Sequence, residues 1–215
     1  LPDVDAVLTV RECARMIKRA GINWAKLPEE EFDNDLLGQY TGAGVIFGVT
    51  GGVMEAALRT AYHVLTGKEA GFLDFKAVRG LKDVKEAEID INGTKLKVAV
   101  TSGMVNAKPL LDEIRAGKSP YAFIEIMGCP GGCINGGGQP FVSSVIKNKE
   151  GFDTYRIKRA NTLYEEDKLM PHRKSHENEQ IKDLYKNFLG EPNSHLAHEL
   201  LHTTYAPKEK YTKGK

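Results

Sequence analysis

The chain has 215 residues, with 30 Lys and Arg against 29 Asp and Glu and a formal net charge of +1. That balance excludes a strongly basic nucleic-acid binder and an acidic solvating tail; with 41% apolar and 27% charged residues, the length supports one sizeable core or two modest ones. No apolar run approaches the roughly 18–20 residues of a membrane span, and three cysteines are too few, and odd in number, for a disulfide framework.

Residues 1–8 alternate loosely and predict a short strand. The first residue is Leu1, with no charged-then-apolar leader, so a processed chain or a piece of a longer one is expected. Thr9-Val10-Arg11-Glu12 is a capping box. The helix after it carries Cys13, Met16, Ile17 and Ala20 at helical spacing, predicts Cys13 in a core, and stops at Gly21. Residues 23–39 are polar and read as a loop with a helical turn, the acids Glu29 to Glu31 and Asp33 forming a solvated run. Five glycines between Gly42 and Gly52 predict a turn-rich backbone around a short strand. A helix follows over 53–65, stopped by Gly67.

Alternation over 86–91 and 96–100 around Asn92-Gly93 predicts a hairpin. A helix is expected over 104–116, ended by Gly117, and a strand over 121–127 that runs straight into Cys129. From Arg156 the pattern is helical and charged, in three pieces separated by Pro171 and Pro192, and the tail from Pro207 is Lys-rich. Strand–helix alternation up to residue 127 implies an α/β unit with a small, mostly parallel sheet and flanking helices, followed by a helical C-terminal wrap. The division expected is an α/β lobe over 1–150, a helical segment over 151–206 and a flexible end over 207–215.

The strongest chemical signal is Met127-Gly128-Cys129-Pro130-Gly131-Gly132-Cys133, followed by Gly136-Gly137-Gly138-Gln139-Pro140. It begins at the carboxyl end of a strand, where α/β folds place ligands. Pro130 suits the first position of a helix, which would make Cys129 its N-cap and set Cys133 one turn on, both near free N–H groups. Gly128, Gly131 and Gly132 leave no side chain to block close backbone approach. A structural cysteine pair in a loop and a zinc half-site are the competing readings. A four-iron cluster ordinarily takes four thiolates, and this segment supplies two.

This segment resembles the third cysteine motif of the [FeFe]-hydrogenase catalytic domain. The run Gly42-Ala43-Gly44-Val45-Ile46-Phe47-Gly48-Val49-Thr50-Gly51-Gly52 resembles the same family. So do Arg173-Lys174-Ser175-His176-Glu177-Asn178 and the sequence on to Tyr205, which are similar to its small-subunit tail. The resemblance implies one lobe of a two-lobed domain that interconverts protons, electrons and H2. Its cofactor would be an H-cluster, a [4Fe-4S] cube bridged by a cysteine to a [2Fe] subsite with CO, cyanide and dithiolate ligands. By position it implies Cys129 and Cys133 as metal ligands, Cys133 bridging and catalytic with Met127 beside the di-iron unit. Phe47, Gly48, Gly131 and Gly132 would line or back the cofactor.

Two motifs of the family, of Thr-Ser-Cys-Cys-Pro and Met-Pro-Cys type, are absent from this sequence, as is a ferredoxin-like cluster domain. The other cube cysteines are therefore expected on an upstream segment or partner chain. Electrons would pass to ferredoxin, NAD(P) or iron–sulfur and flavin subunits, in the cytoplasm or alternatively the periplasm. The alternative function is an iron–sulfur assembly or sensor protein of the related non-hydrogenase branch.

His198-Glu199-Leu200-Leu201-His202 matches the His-Glu-x-x-His pattern of zinc proteases, but only thirteen residues remain for a third ligand. The ordinary reading is an amphipathic helix with Leu196, Ala197, Leu200 and Leu201 facing a core.

Overall fold

The computed structural model describes residues 4–30, 37–69, 74–81, 83–91 and 93–206. The expected flexible end 207–215, and Glu31, Asp33 and Asn92, lie outside them. The capping box forms as predicted. Thr9 Oγ1 accepts from the Glu12 N–H (3.2 Å), and Glu12 Oε2 accepts from the Thr9 N–H (2.8 Å), at the start of α1, Val10–Arg19. Two expectations fail beside it. Residues 4–9 form no strand, and α1 buries none of its residues, so Cys13 is half-buried and not core.

The glycine run holds no strand either. It folds as a single turn, α2 (Gly42–Val45), a 3-10 turn (Ile46–Gly48), and then α3 (Gly52–Thr66). The reason is a backbone crossing: a Cβ on Gly52 would sit 1.7 Å from the Ile46 carbonyl oxygen.

Strand β1 (Val84–Ile91) pairs antiparallel with β2 (Thr94–Ser102), and β3 (Phe123–Met127) pairs parallel with β2 on its other side, in the order β1-β2-β3. The α/β class holds; the sheet is mixed, one pair of each kind, where mostly parallel pairing was expected. The hairpin at Gly93 makes the first pair antiparallel. The second is parallel because β2 returns through α4 (Met104–Arg115), the crossover that parallel strands require. In the central strand Val98, Ala99, Val100 and Thr101 are buried in succession, covered on both faces.

The C-terminal third adds α5 (Ser144–Glu150), α6 (Thr154–Leu169), α7 (Glu179–Leu184) running into a π turn (Tyr185–Leu189), and α8 (His195–Leu201). Two apolar clusters organise the molecule. Met54 and Leu58 of α3 pack with Phe75, Val78, Ile89, Ile91, Val98 and Val100 against the sheet. Ile46 and Val49 pack with Ile134, Ala160 and Tyr164, which joins the glycine run, the cysteine segment and α6.

A buried ion lattice fixes the C-terminal third to the rest. Arg59 is fully buried; its guanidinium donates bidentately to Asp167 (2.8 Å each) and to Glu55 (2.7 Å). Arg79 pairs with Glu55 and Asp74, and Arg173 with Asp167 and Asp74. Three acids thus face three arginines, and the charge is met within the lattice.

Candidate functional site

Strand β3 delivers the chain to the site. The Glu125 carboxylate, buried, accepts the N–H groups of Gly51 (2.6 Å) and Met54 (2.7 Å) at the start of α3. A carboxylate there answers orphan donors and the helix dipole together, and it pins the end of the strand to the helix. Lys85, also buried, donates to the carbonyls of Thr50 (2.9 Å) and Gly80 (3.0 Å). Burial pushes its ammonium down to about 8, against an opposing pull from Glu125.

Cys129 and Cys133 are free and exposed. The expected helix beginning at Pro130 does not form, and neither thiol caps an α-helix. Gly131 (φ 85°) and Gly132 (φ 100°, ψ −166°) leave helical space. Residues 129–132 instead make a turn in which the Gly132 N–H donates to the Cys129 carbonyl (2.9 Å), and Cys133 opens a 3-10 turn, Cys133–Asn135. The turn lies directly on the glycine run. The Thr50 N–H donates to the Gly131 carbonyl (3.1 Å), and a Cβ on Gly132 would meet Gly48 O at 2.6 Å and Thr50 N at 2.7 Å. Backbone rests on backbone with no room for a methyl group.

Arg159 of α6 clamps the far side, donating to the carbonyls of Ile134 (2.9 Å) and Pro140 (2.7 Å). Arg11 of α1 donates to the Gly137 carbonyl (2.7 Å) and stacks over Phe141. Gly48 and Cys133 share a groove of about 370 Å³ with Ile134, Gln139, Arg159 and Leu163. Gly131 and Gly132 are buried beneath the turn. Phe47 (46% exposed), Met127 (half-buried) and Cys129 stand outside that lining. Phe47, Ile126 (39%) and both cysteines are exposed.

Sequence reasoning missed Glu125, Lys85 and Arg159. Glu125 left a trace, as the single charge in the strand Phe123-Ile124-Glu125-Ile126-Met127. Arg159 left none; it sits among the many charges of a helix, most of them exposed, with nothing in the sequence to single it out. His198 of α8 and His202, its C-cap, have tilted rings 4.5 Å apart but join no third metal donor among the described residues. The helix buries only Ala197. Leu196, Leu200 and Leu201 are exposed, contrary to the expected core face.

Two thiols are soft donors suited to iron–sulfur chemistry and make half of a cube's ligand set. Fold and site define the class: an α/β lobe with two free, exposed thiols just past the carboxyl end of a strand. The family follows from relatives. The model of the iron-only hydrogenase large subunit, C-terminal domain, matches residues 2–137, and that of the iron hydrogenase small subunit matches residues 153–208. The chain belongs to the iron-only hydrogenase family.

The NADP-reducing hydrogenase subunit HndD of Solidesulfovibrio fructosivorans is 48% identical over 209 residues, 97% of this chain and 34% of its own. The periplasmic [Fe] hydrogenase large subunit of Nitratidesulfovibrio vulgaris is 57% identical over 145 residues, 67% of this chain and 34% of its own. The structure of an [FeFe]-hydrogenase from Chlamydomonas reinhardtii superposes with a TM-score of 0.69 at 41% identity, over 94% of this chain and 55% of that one. Protein NAR1 of Arabidopsis thaliana is more distant, 34% identical over 96% of this chain and 43% of its own. The chain therefore spans about a third of the curated hydrogenases it matches. No helix among the described residues is long and apolar enough to cross a membrane.

Proposed function

We propose that this chain is the C-terminal lobe of a hydrogenase catalytic domain and takes part in the reversible interconversion of protons, electrons and H2. The observation that carries the reading is the Cys129–Cys133 turn, locked onto the 48–50 backbone, in a chain 48–57% identical to named hydrogenases. Cys129 and Cys133 would hold a [4Fe-4S] cube, with Cys133 also joining it to the [2Fe] subsite. When bound, this H-cluster supplies the redox chemistry of H2.

The chain's own residues supply position. Thr50 and Arg159 hold the turn and the residue after it, and Glu125 ties the strand before it to the start of α3, so the two thiols are presented on a braced support. Gly131 and Gly132 allow the close approach, and Gly48, Phe47 and Met127 give the cofactor side of the lobe its small and apolar lining. The exposed surface at Phe47 and Ile126 is where a second lobe would exclude water.

That lobe, on another segment or chain, would bring the other two cube ligands. We read residues 1–150 as the lobe proper and 151–206 as its small-subunit-like strap. Electrons would pass to ferredoxin or to iron–sulfur and flavin subunits, and NADP is the acceptor suggested by the name of the HndD relative. We read the location as cytoplasmic, with a periplasmic one suggested by the name of the Nitratidesulfovibrio relative; fractionation of the native cell decides between them. An iron–sulfur assembly role is the second reading, suggested by the name of the cytosolic Fe-S cluster assembly factor narfl of Xenopus tropicalis, whose identity runs over nearly the whole chain but is lower, at 30%.

The test uses the complete enzyme. Cys133→Ser exchanges a soft thiolate for a hard alcohol and should abolish H2 turnover, while Cys129→Ser should chiefly lower cluster retention. Met127→Leu keeps the volume, so stability should stay within about 1.5 kcal/mol while activity drops. Full turnover in Cys133→Ser would refute the bridging role.

A further inference from the structure

Away from the cysteines, a second group of metal-binding side chains converges where the C-terminal third meets α3. His63 lies in the last turn of α3, Glu69 just past its end, and His176 in the turn before α7. The two imidazoles stack nearly parallel, 4.3 Å between centroids and 13° between planes. His63 Nδ1 lies 2.8 Å from Glu69 Oε1, and His176 Nε2 lies 3.8 Å from the same oxygen. Both ring nitrogens are buried, and neither meets that oxygen or any other acceptor in hydrogen-bond geometry. Three donor atoms thus lie within 4.8 Å of one another. The donors of a tetrahedral zinc ion, each about 2.0–2.2 Å from the metal, stand roughly 3.3–3.5 Å apart, and the two observed spacings bracket that value.

We propose that His63, Glu69 and His176 form a binding site for a divalent transition ion of the zinc class, separate from the cysteine site.

The surroundings support the assignment. His176 Nδ1 lies 3.1 Å from Thr60 Oγ1; in the tautomer that donates there the Nε2 lone pair is free for a metal, and a ligating histidine is commonly oriented by such an outer bond. Lys174 takes the other Glu69 oxygen, Oε2, and is itself paired with Glu177 (2.8 Å), so Oε1 stays available and the lysine's charge is met. Two imidazoles and one carboxylate are borderline donors that suit zinc rather than calcium or magnesium, and three protein ligands leave a fourth position open. That position has space: His63, Glu69 and His176 line a cavity of about 860 Å³ with Ile181, Tyr185 and Lys186.

The site also has a structural consequence. His63 and Glu69 lie in the stretch matched by the large-subunit family, and His176 in the stretch matched by the small-subunit family. A bound ion would therefore staple the C-terminal strap to the end of α3.

The experiment is zinc titration of the full chain by calorimetry, with the cysteines blocked by iodoacetamide so that Cys129 and Cys133 do not compete. One equivalent should bind. His176→Ala and Glu69→Gln should each weaken it by more than the ~10–100-fold that loss of an outer partner costs, and Thr60→Val by about 10-fold. His63→Phe keeps a stacked ring while removing the donor; it should fold, lose the site and lose the zinc-dependent rise in unfolding temperature. His198→Ala should bind as the parent does. The proposal is overturned if the parent binds no stoichiometric zinc, if His63→Phe binds it undiminished, or if binding is lost in His198→Ala instead.

Discussion

At Gly132 one methyl group is enough to disturb the site. Its φ of 100° with ψ near −166° is a region almost confined to glycine, and its Cβ would press on the backbone of Gly48 and Thr50. Gly132→Ala should therefore destabilise the protein by about 2 kcal/mol or more in urea unfolding and reduce bound iron. Gly137→Ala, four residues after Cys133 with open space at its Cβ, should stay within about 0.5 kcal/mol. Equal effects would contradict the packing described.

Lys85 gives a pH test. Folded, its ammonium titrates at about 8; unfolded, near the ordinary 10.5. Between these values the unfolded chain holds a proton that the folded chain has lost, so this group makes stability rise with pH from about 8 to about 10. The difference in urea midpoint between the parent and Lys85→Met should move in the parent's favour from pH 7.5 to pH 9.5. A difference independent of pH would refute the burial effect.

The elements divide by the range of the forces that make them. Short-range signals were legible: the Thr9–Glu12 box, the stops at Gly67 and Gly117, and the hairpin at Gly93, each decided within four residues. The helix read at Pro130 failed because the contact of Gly132 with residues 48–50 overrides a local preference. Helix α5 was missed because it is only seven residues long, and its two apolar residues, the adjacent Val145 and Ile146, set no helical period. At the site the cysteines were readable from residue type and spacing. Glu125 and Arg159 were not, since they act through partners 71–74 and 19–25 residues away.

The ion lattice is the clearest long-range element contact, joining α3 to the end of α6. Arg59→Ala would leave Glu55 and Asp167 buried with part of their compensation gone, at a cost of about 3–5 kcal/mol. The strap from α6 onward should then become the first region cut in limited proteolysis. An unfolding midpoint within error of the parent would show that Arg79 and Arg173 suffice.

On the scale of the whole molecule, the apolar surface is the informative feature. Phe47, Met104, Val105, Ile126 and Phe141 are exposed, more than a self-sufficient domain of this size needs to leave uncovered. Relatives three times as long supply the context, with this chain as about a third of each. The central claim is that this lobe holds half of an H-cluster through Cys129 and Cys133. Its most direct test is the infrared spectrum of the complete, matured protein beside that of its Cys133→Ser variant. The account predicts CO and cyanide stretching bands in the parent and their loss in the variant. A parent that contains iron and sulfide but shows no such bands, or a variant that keeps them with full H2 turnover, would contradict it.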